Sequence, residues 1–347
     1  MYTVFKFFAA VILILVILLV GYFLLKWLAD ADYSIGPIEQ GRVLKNDLHP
    51  AAVAAEPEPL RVLSYNLGFA SGPVQHTLAD EHPESFFVAN LDKLIDLVRA
   101  EKANILLLQE VDLHSKRSWY MNQLEYVMER LGWGYAAPVV DWDMYFPLRR
   151  EHRITKATVV LSKFPLISNE YTQTAGKPNF ESVLLNIFYY PLLWKSTMQR
   201  VEVSVGGRRL DVYNVHLCVW NRDARVAQMQ FLSDWINRSR PANGFLIGGD
   251  FNFQAYIRGT PEPIADLAKP PFLDLLHENL PGVKEIMSEG GIPAEEIHKN
   301  YTFDERKHRY DFIYYSSELN LVAGKVIRNI DASDHFPVFG VFDLESE

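Results

Sequence analysis

The sequence predicts an α/β domain of mixed β-sheets covered by helices. Three observations predict it. From Leu60 onward, short apolar runs of strand length alternate with helical stripes. Gly206-Gly207 separates two such runs, a hairpin signal that puts antiparallel strands beside the strand–helix alternation. Several runs end in a carboxylate, an amide or an imidazole, at the strand ends where layered α/β proteins collect ligands.

Taken in order, the chain starts with an apolar run from Phe7 to Leu25, flanked by Lys6 and Lys26. At 1.5 Å per residue it just reaches across a bilayer core of about 30 Å. We expect residues 1–29 to be an uncleaved transmembrane anchor. The protein is then single-pass, with its N-terminus inside and its bulk outside the cytoplasm. A cleaved signal peptide is the alternative, with Ala29-Asp30-Ala31 as a poor cleavage site. Residues 30–59 hold few large apolar groups, end in Ala-Ala-Glu-Pro-Glu-Pro and read as an extended linker. Residues 60–347 read as one domain.

Within that domain, residues 61–67 form a strand. Leu91, Leu94, Ile95 and Val98 mark a helix, and residues 105–108 a buried strand. Ser118 is placed to cap a helix whose stripe is Met121, Leu124, Met128 and Leu131. Residues 155–161 form a strand, 200–205 and 208–217 the hairpin, and Met229, Leu232 and Ile236 a further helix. Strands follow at 245–249, 309–315, 320–327 and 336–343. The single cysteine, Cys218, excludes an intrachain disulfide and reads as a small buried apolar residue.

Charge narrows the partners. Four basic and six acidic side chains in the first 59 residues account for −2 of the formal −9, so the remainder carries −7. An acidic domain repels polyphosphate at long range, which argues against non-specific nucleic-acid binding unless a metal reverses the local field.

Polar residues stand where apolar ones belong. Gly248-Gly249 ends the run Phe245-Leu246-Ile247 and delivers Asp250 and Asn252, two hard oxygen ligands at i and i+2. Asn66 ends the first strand. Glu110 closes Ile-Leu-Leu-Leu-Gln-Glu-Val, where an unpaired carboxylate is costly. His216 shares a strand face with Asn214, Asp311 interrupts an aromatic strand, and Asp334-His335 precedes the last one. Each has an ordinary reading as a turn, a solvated loop or a structural histidine. Together they are the kit for divalent-metal-assisted attack of water on a phosphate ester.

At these residues the chain resembles the endonuclease/exonuclease/phosphatase superfamily. Ser-Tyr-Asn, Leu-Gln-Glu-Val, Asn-Val-His-Leu, Gly-Asp-Phe-Asn, Tyr-Asp-Phe-Ile and Ser-Asp-His-Phe-Pro-Val occur in that superfamily's order. The resemblance implies a four-layer sandwich, two packed mixed sheets with helices outside. It implies Mg²⁺, or Mn²⁺, on Glu110, Asn66 and Asp334. Asp250 and Asn252 would position water and phosphate, and His335 would be the base, held in one tautomer by Asp311. His216 would hydrogen-bond the phosphate or protonate the leaving oxygen. The histidine at 216 places the chain nearer the deoxyribonuclease, sphingomyelinase and phosphatase branches than the abasic-site endonucleases.

Two places differ from the common pattern. Lys156-Ala157 stands before Val159-Val160-Leu161-Ser162, where many members have Gly-Asn or Ser-Gly. Nearby Arg149, Arg150, His152 and Arg153 are either a solvated basic loop or an anion contact. Residues 183–194, apolar and aromatic, are either a packed loop or a lip that touches membrane.

The expected protein is therefore a Mg²⁺-dependent phosphodiesterase acting on a lipid headgroup, a small phosphodiester or a nucleic acid. It meets the membrane through its N-terminal helix and needs no obligate protein partner. A nuclease on extracytoplasmic nucleic acid and a catalytically silent binding module of the same fold are the competing readings.

Overall fold

In the computed structural model, residues 2–29, 35–46, 59–73, 82–146, 149–175, 195–219, 222–239, 241, 243–253, 272–289, 300–303 and 308–343 are described. Helix α1 is Tyr2–Ala29. The segment expected as a linker instead contributes two short edge strands, β1 (Glu39–Gln40) and β2 (Leu44–Lys45). Then come β3 (Leu60–Asn66), α2 (Glu84–Ala100), β4 (Ile105–Asp112), α3 (Gln123–Leu131), β5 (Tyr135–Phe146), β6 (Arg149–Ser162), β7 (Leu166–Ala175), β8 (Lys195–Val205) and β9 (Arg208–His216). They are followed by α4 (Arg222–Ser239), β10 (Phe245–Asp250), β11 (Lys284–Glu285), β12 (Asp311–Tyr315), β13 (Asn320–Val326) and β14 (Val338–Asp343).

The strands form two seven-stranded sheets, ordered β1-β7-β8-β9-β10-β12-β11 and β13-β14-β3-β4-β6-β5-β2. Both are mixed: β3/β4 and β9/β10 are parallel, and the remaining pairs antiparallel. Period-2 geometry explains the continuous apolar runs. Leu60, Val62, Ile105 and Leu107 face the inter-sheet core, where they meet Val201, Val212, Leu246 and Ile313. Their neighbours Leu63, Tyr65, Leu106 and Leu108 face outward under Leu91, Leu94 and Val98 of α2 and Leu124 and Val127 of α3. On the far side Tyr213, Val215 and Ile247 pack under Met229, Leu232, Trp235 and Ile236 of α4. Strands apolar on both faces thus become two buried sheets, each covered by helices. Fully burying each such Leu, Ile or Val contributes about 1.5–3 kcal/mol.

Three local expectations are corrected. Asn122, not Ser118, caps α3: its side chain accepts the Glu125 N–H. Ser118 instead donates to the buried Asp112 at 2.9 Å. Strands β5 and β7 were not expected from the sequence. Pro138 and a run of polar residues broke their alternation, and pairing along β6 and β8 supplied what the pattern lacked. Third, the linker is stitched down the edge of β7, through Ile35 opposite Thr174, Gly36 N–H to Gln173 O and Gly41 N–H to Asn169 O. The Gly206-Gly207 hairpin forms as the sequence indicates, with both glycines at positive φ and Val205 opposite Arg208.

Helix α1 is present where the anchor was expected. Its described side chains, Lys6 to Tyr22, are almost all exposed and apolar after the lysine. Among the described residues no helix is long and apolar enough to cross a membrane. The side chains of Arg149, Arg150 and His152, and all of residues 183–194, lie outside the described residues.

Candidate active site

Strand register assembles the site. In parallel pairing Asp250 at the end of β10 lies opposite His216 at the end of β9, and in antiparallel pairing it lies opposite Asp311 at the start of β12. In the other sheet Asn66 ends β3 opposite Gln109, one residue before Glu110. The two sheets therefore present the ends of β3, β4, β9 and β10 to one another. Below them Gln109 Nε2 donates to Asn214 Oδ1 at 2.7 Å, a buried strut between the sheets.

Local backbone then aims each group. The β4/β6 register shifts between Leu108 and Val111, and Glu110 within that bulge has φ 55°, a conformation that turns its carboxylate out of the pleat. Gly249 has φ 140°, and a Cβ there would lie 1.9 Å from the Val215 carbonyl oxygen, so only glycine lets β10 approach β9 so closely. Asp250 Oδ1 accepts the Asn252 N–H at 2.8 Å, and Asn252 Nδ2 donates to Leu217 O at 3.0 Å.

The side chains converge on one gap. Asn66 Nδ2 donates to Asp250 Oδ2 at 2.9 Å. That same Asp250 oxygen is 3.9 Å from Nε2 of both His216 and His335. Glu110 Oε1 is 3.8 Å from His216 Nε2 and 3.4 Å from Lys156 Nζ. His335 Nδ1 lies 2.8 Å from Asp311 Oδ2; a carboxylate only accepts, so Nδ1 carries the proton. Asp334, half-buried, accepts from Ser333 Oγ at 3.2 Å, and a Cβ on the neighbouring Gly68 would meet its Oδ1 at 2.9 Å. Asn66 Oδ1 accepts the Gly68 N–H at 3.1 Å, which leaves it one lone pair. All eight residues singled out in the sequence thus lie in or against one cluster of side chains at the strand ends. Asn252 is the outermost, its amide nitrogen engaged by backbone.

Two further residues, Lys156 and Asp141, belong to the site. Both are fully buried, and Lys156 Nζ lies 3.5 Å from Asp141 Oδ1, whose other oxygen accepts from Thr158 at 2.9 Å. The sequence signal was there for Lys156: it is a lysine inside an otherwise inward-facing strand. For Asp141 there was none, because β5 itself was missed. Arg153 faces away, paired with the exposed Asp143 at 3.0 Å.

The electrostatics separate the two imidazoles. Burial pulls His335 down, but the charge and hydrogen bond of Asp311, with Asp250 and Asp334, outweigh it and hold its pKa up at about 10. Burial, reinforced by the Lys156 charge, pushes His216 down to about 3. Burial raises Asp141 to about 6 against the pull of Lys156, and burial together with the Asp311 charge raises Asp250.

These residues fit a divalent cation. Glu110, Asp141, Asp250, Asp311 and Asp334 bring more negative charge than Lys156 and a protonated His335 offset. Asp311 Oδ1 is buried without a hydrogen-bond partner among the described residues. Hard oxygen donors without thiolate are the chemistry of such ions. The buried Asp250, Asp311 and His335 place ligand atoms within 4.8 Å of one another and could hold a metal.

Comparison with known proteins shows the family and the fold. Residues 63–335 match the Endonuclease/Exonuclease/phosphatase family. Among curated proteins none matches the chain. Solved structures share the fold. An endonuclease/exonuclease/phosphatase from Beutenbergia cavernae is 17% identical, with TM-score 0.59, covering 83% of this chain and 72% of its own. A family protein from Bacteroides thetaiotaomicron is 15% identical, with TM-score 0.56, covering 84% and 100%. A mannosyl-6-phosphatase from Bacteroides thetaiotaomicron is 16% identical, with TM-score 0.54, covering 82% and 99%. The chain belongs to the endonuclease/exonuclease/phosphatase family and is a phosphoester hydrolase.

Proposed function

We propose that this chain is a Mg²⁺-dependent phosphodiesterase held to a membrane by α1. The observation that supports it best is the single gap bounded by Glu110, His216, Asp250 and His335, with Asp311 behind His335. Glu110, Asp334 and the free lone pair of Asn66 Oδ1 would hold the ion. When bound, it neutralises phosphate charge and polarises the scissile P–O bond. His335, fixed by Asp311 through Nδ1, presents Nε2 to the gap and takes the proton of the attacking water. Asp311, Asp250 and Asp334 hold its pKa up at about 10; a cation held among these carboxylates would offset their charge and lower it toward the range a base needs. Asp250 and Asn252 align the water. His216 is held neutral, which supports hydrogen bonding to phosphate over protonation of the leaving oxygen. Lys156, anchored by Asp141, steadies Glu110 and adds a fixed positive charge.

The membrane reading rests on α1 and on the sequence that continues it: the described side chains, Lys6 to Tyr22, are too few to cross a membrane by themselves, and the apolar run extends to Leu25. Ile12 to Ile17, six consecutive positions and so every side of the helix, are 49–60% exposed and apolar. A helix without a polar face suits hydrocarbon rather than an interface. The deciding assay presents the purified chain with sphingomyelin vesicles, plasmid DNA and inositol phosphates. Hydrolysis of lipid headgroups is expected. Cleavage of plasmid alone would establish the nuclease reading in its place.

A further inference from the structure

The stitched linker meets the domain at the strand ends that carry the catalytic residues. Helix α1 ends at Ala29, and the chain is already bridged to the domain at Ile35, opposite Thr174. Six residue steps span at most about 22 Å. That attachment lies at one end of the first sheet, and β7, β8 and β9 carry its level across to the site. Gly36 N–H bonds Gln173 O, Gln173 pairs with Thr197, and Thr197 pairs with His216. Three strand spacings separate Gly36 from His216, about 14 Å. The opposite end of the same strands, the Gly206-Gly207 hairpin, begins at Val205, eight residues beyond Thr197 and about 26 Å further away.

We infer that the catalytic end of the domain faces the bilayer that holds α1, and that its substrate is the phosphoester headgroup of a membrane lipid. The inference rests on the hydrolase and anchor readings above and adds orientation and substrate class to them. A linker of thirty free residues would let the site sample solution in any orientation. Five residues between the helix and the first bridge do not, because the attachment is at the same end of the strands as the catalytic residues. A lipid headgroup is the phosphoester that surface supplies at high local concentration. A nucleic acid would have to enter the space between an acidic domain and the bilayer, against the domain's long-range repulsion.

Orientation is tested without activity. In the full chain reconstituted in phosphatidylcholine nanodiscs with a headgroup energy acceptor, a donor dye is placed at Lys195→Cys, or at Arg209→Cys. Lys195 is exposed at the catalytic end of β8, Arg209 is exposed at the hairpin end, and native Cys218 is buried at 1% exposure. Strong transfer from position 195 and weak transfer from 209 is expected; equal or reversed transfer overturns the orientation. Substrate class is tested by inserting twenty Gly/Ser residues between Ala31 and Asp32. Going from five to twenty-five linking residues should cut vesicle-lipid hydrolysis about tenfold by dilution of effective concentration. Turnover of soluble bis(p-nitrophenyl) phosphate should be unchanged. An insertion that alters neither substrate, or both equally, overturns the lipid assignment. Absence of hydrolysis of both by the unmodified chain, with transfer from position 195 intact, overturns the hydrolase reading and the lipid assignment while upholding the orientation.

Discussion

Lys156 Nζ lies 3.4 Å from Glu110 Oε1, and the lysine side chain is 1% exposed while the glutamate keeps 15%. A fixed ammonium therefore occupies the flank of the proposed metal position, balanced from behind by Asp141 at 3.5 Å. Lys156→Met removes that charge. Divalent-ion affinity, read by calorimetry, should tighten about tenfold, the Coulomb scale for an ion and an ammonium about 5 Å apart in a water-like medium. Turnover should fall at the same time, because Glu110 loses its brace. Unchanged ion binding in the variant would show that Lys156 does not act on the ion's site, and weaker binding would show that bracing of Glu110 outweighs the charge repulsion.

Glu110→Ala and His335→Ala should each lower turnover at least about 10²-fold, the scale for losing a general base or an electrostatic anchor. Only Glu110→Ala should also abolish calorimetric ion binding. Near-normal kcat in either variant removes its assigned role.

Ion removal should be reversible. Dialysis against a chelator is expected to abolish hydrolysis, and Mg²⁺ should restore it. At an ion concentration a hundredfold above Kd, linkage adds about 2.7 kcal/mol of stability, seen as a rise in Tm. An unchanged Tm over that range would mean that the ion does not bind the folded chain in preference to the unfolded one.

His216 sets a pH signature. Its folded pKa, about 3, lies below the unfolded 6.5, so the unfolded chain binds the proton first. The stability it contributes is complete above pH 6.5 and is lost as pH falls toward about 3. His216→Gln should therefore flatten the loss of urea midpoint between pH 6.5 and 4. Asp141, raised to about 6, works in the opposite sense and remains in the variant. An identical slope in both proteins would mean His216 is charged in the fold.

Gly249→Ala should be among the most damaging single changes. Its Cβ would sit 1.9 Å from the Val215 carbonyl, backbone that cannot move without separating β9 from β10. A loss of more than about 3 kcal/mol is expected by denaturant titration, or failure to fold. Gly207→Ala at the open hairpin, where no atom lies within 4 Å, meets no such clash and should cost far less.

Much of this protein was legible in its residues. Apolar runs such as 105–108 and 245–247 determine buried strands, because nothing else of that length hides both faces. Asp250 and Glu110 were visible because a charge closing an apolar strand needs a compensating partner, and His335 through the Ser-Asp-His-Phe-Pro-Val motif ahead of the last strand. Tertiary structure alone decided the rest. Asp141 entered the site only because β6 pairs β5, a strand whose own pattern is broken by Pro138. The bulge that aims Glu110 depends on β6 as well. The linker's low apolar content gave no hint that its backbone would lie along β7, since edge pairing uses N–H and C=O groups that every residue carries. Side-chain chemistry is written residue by residue; which strand ends share a level is set by register between segments far apart in the chain, and that is what brought the linker's attachment to the end of the strands that carries the catalytic residues.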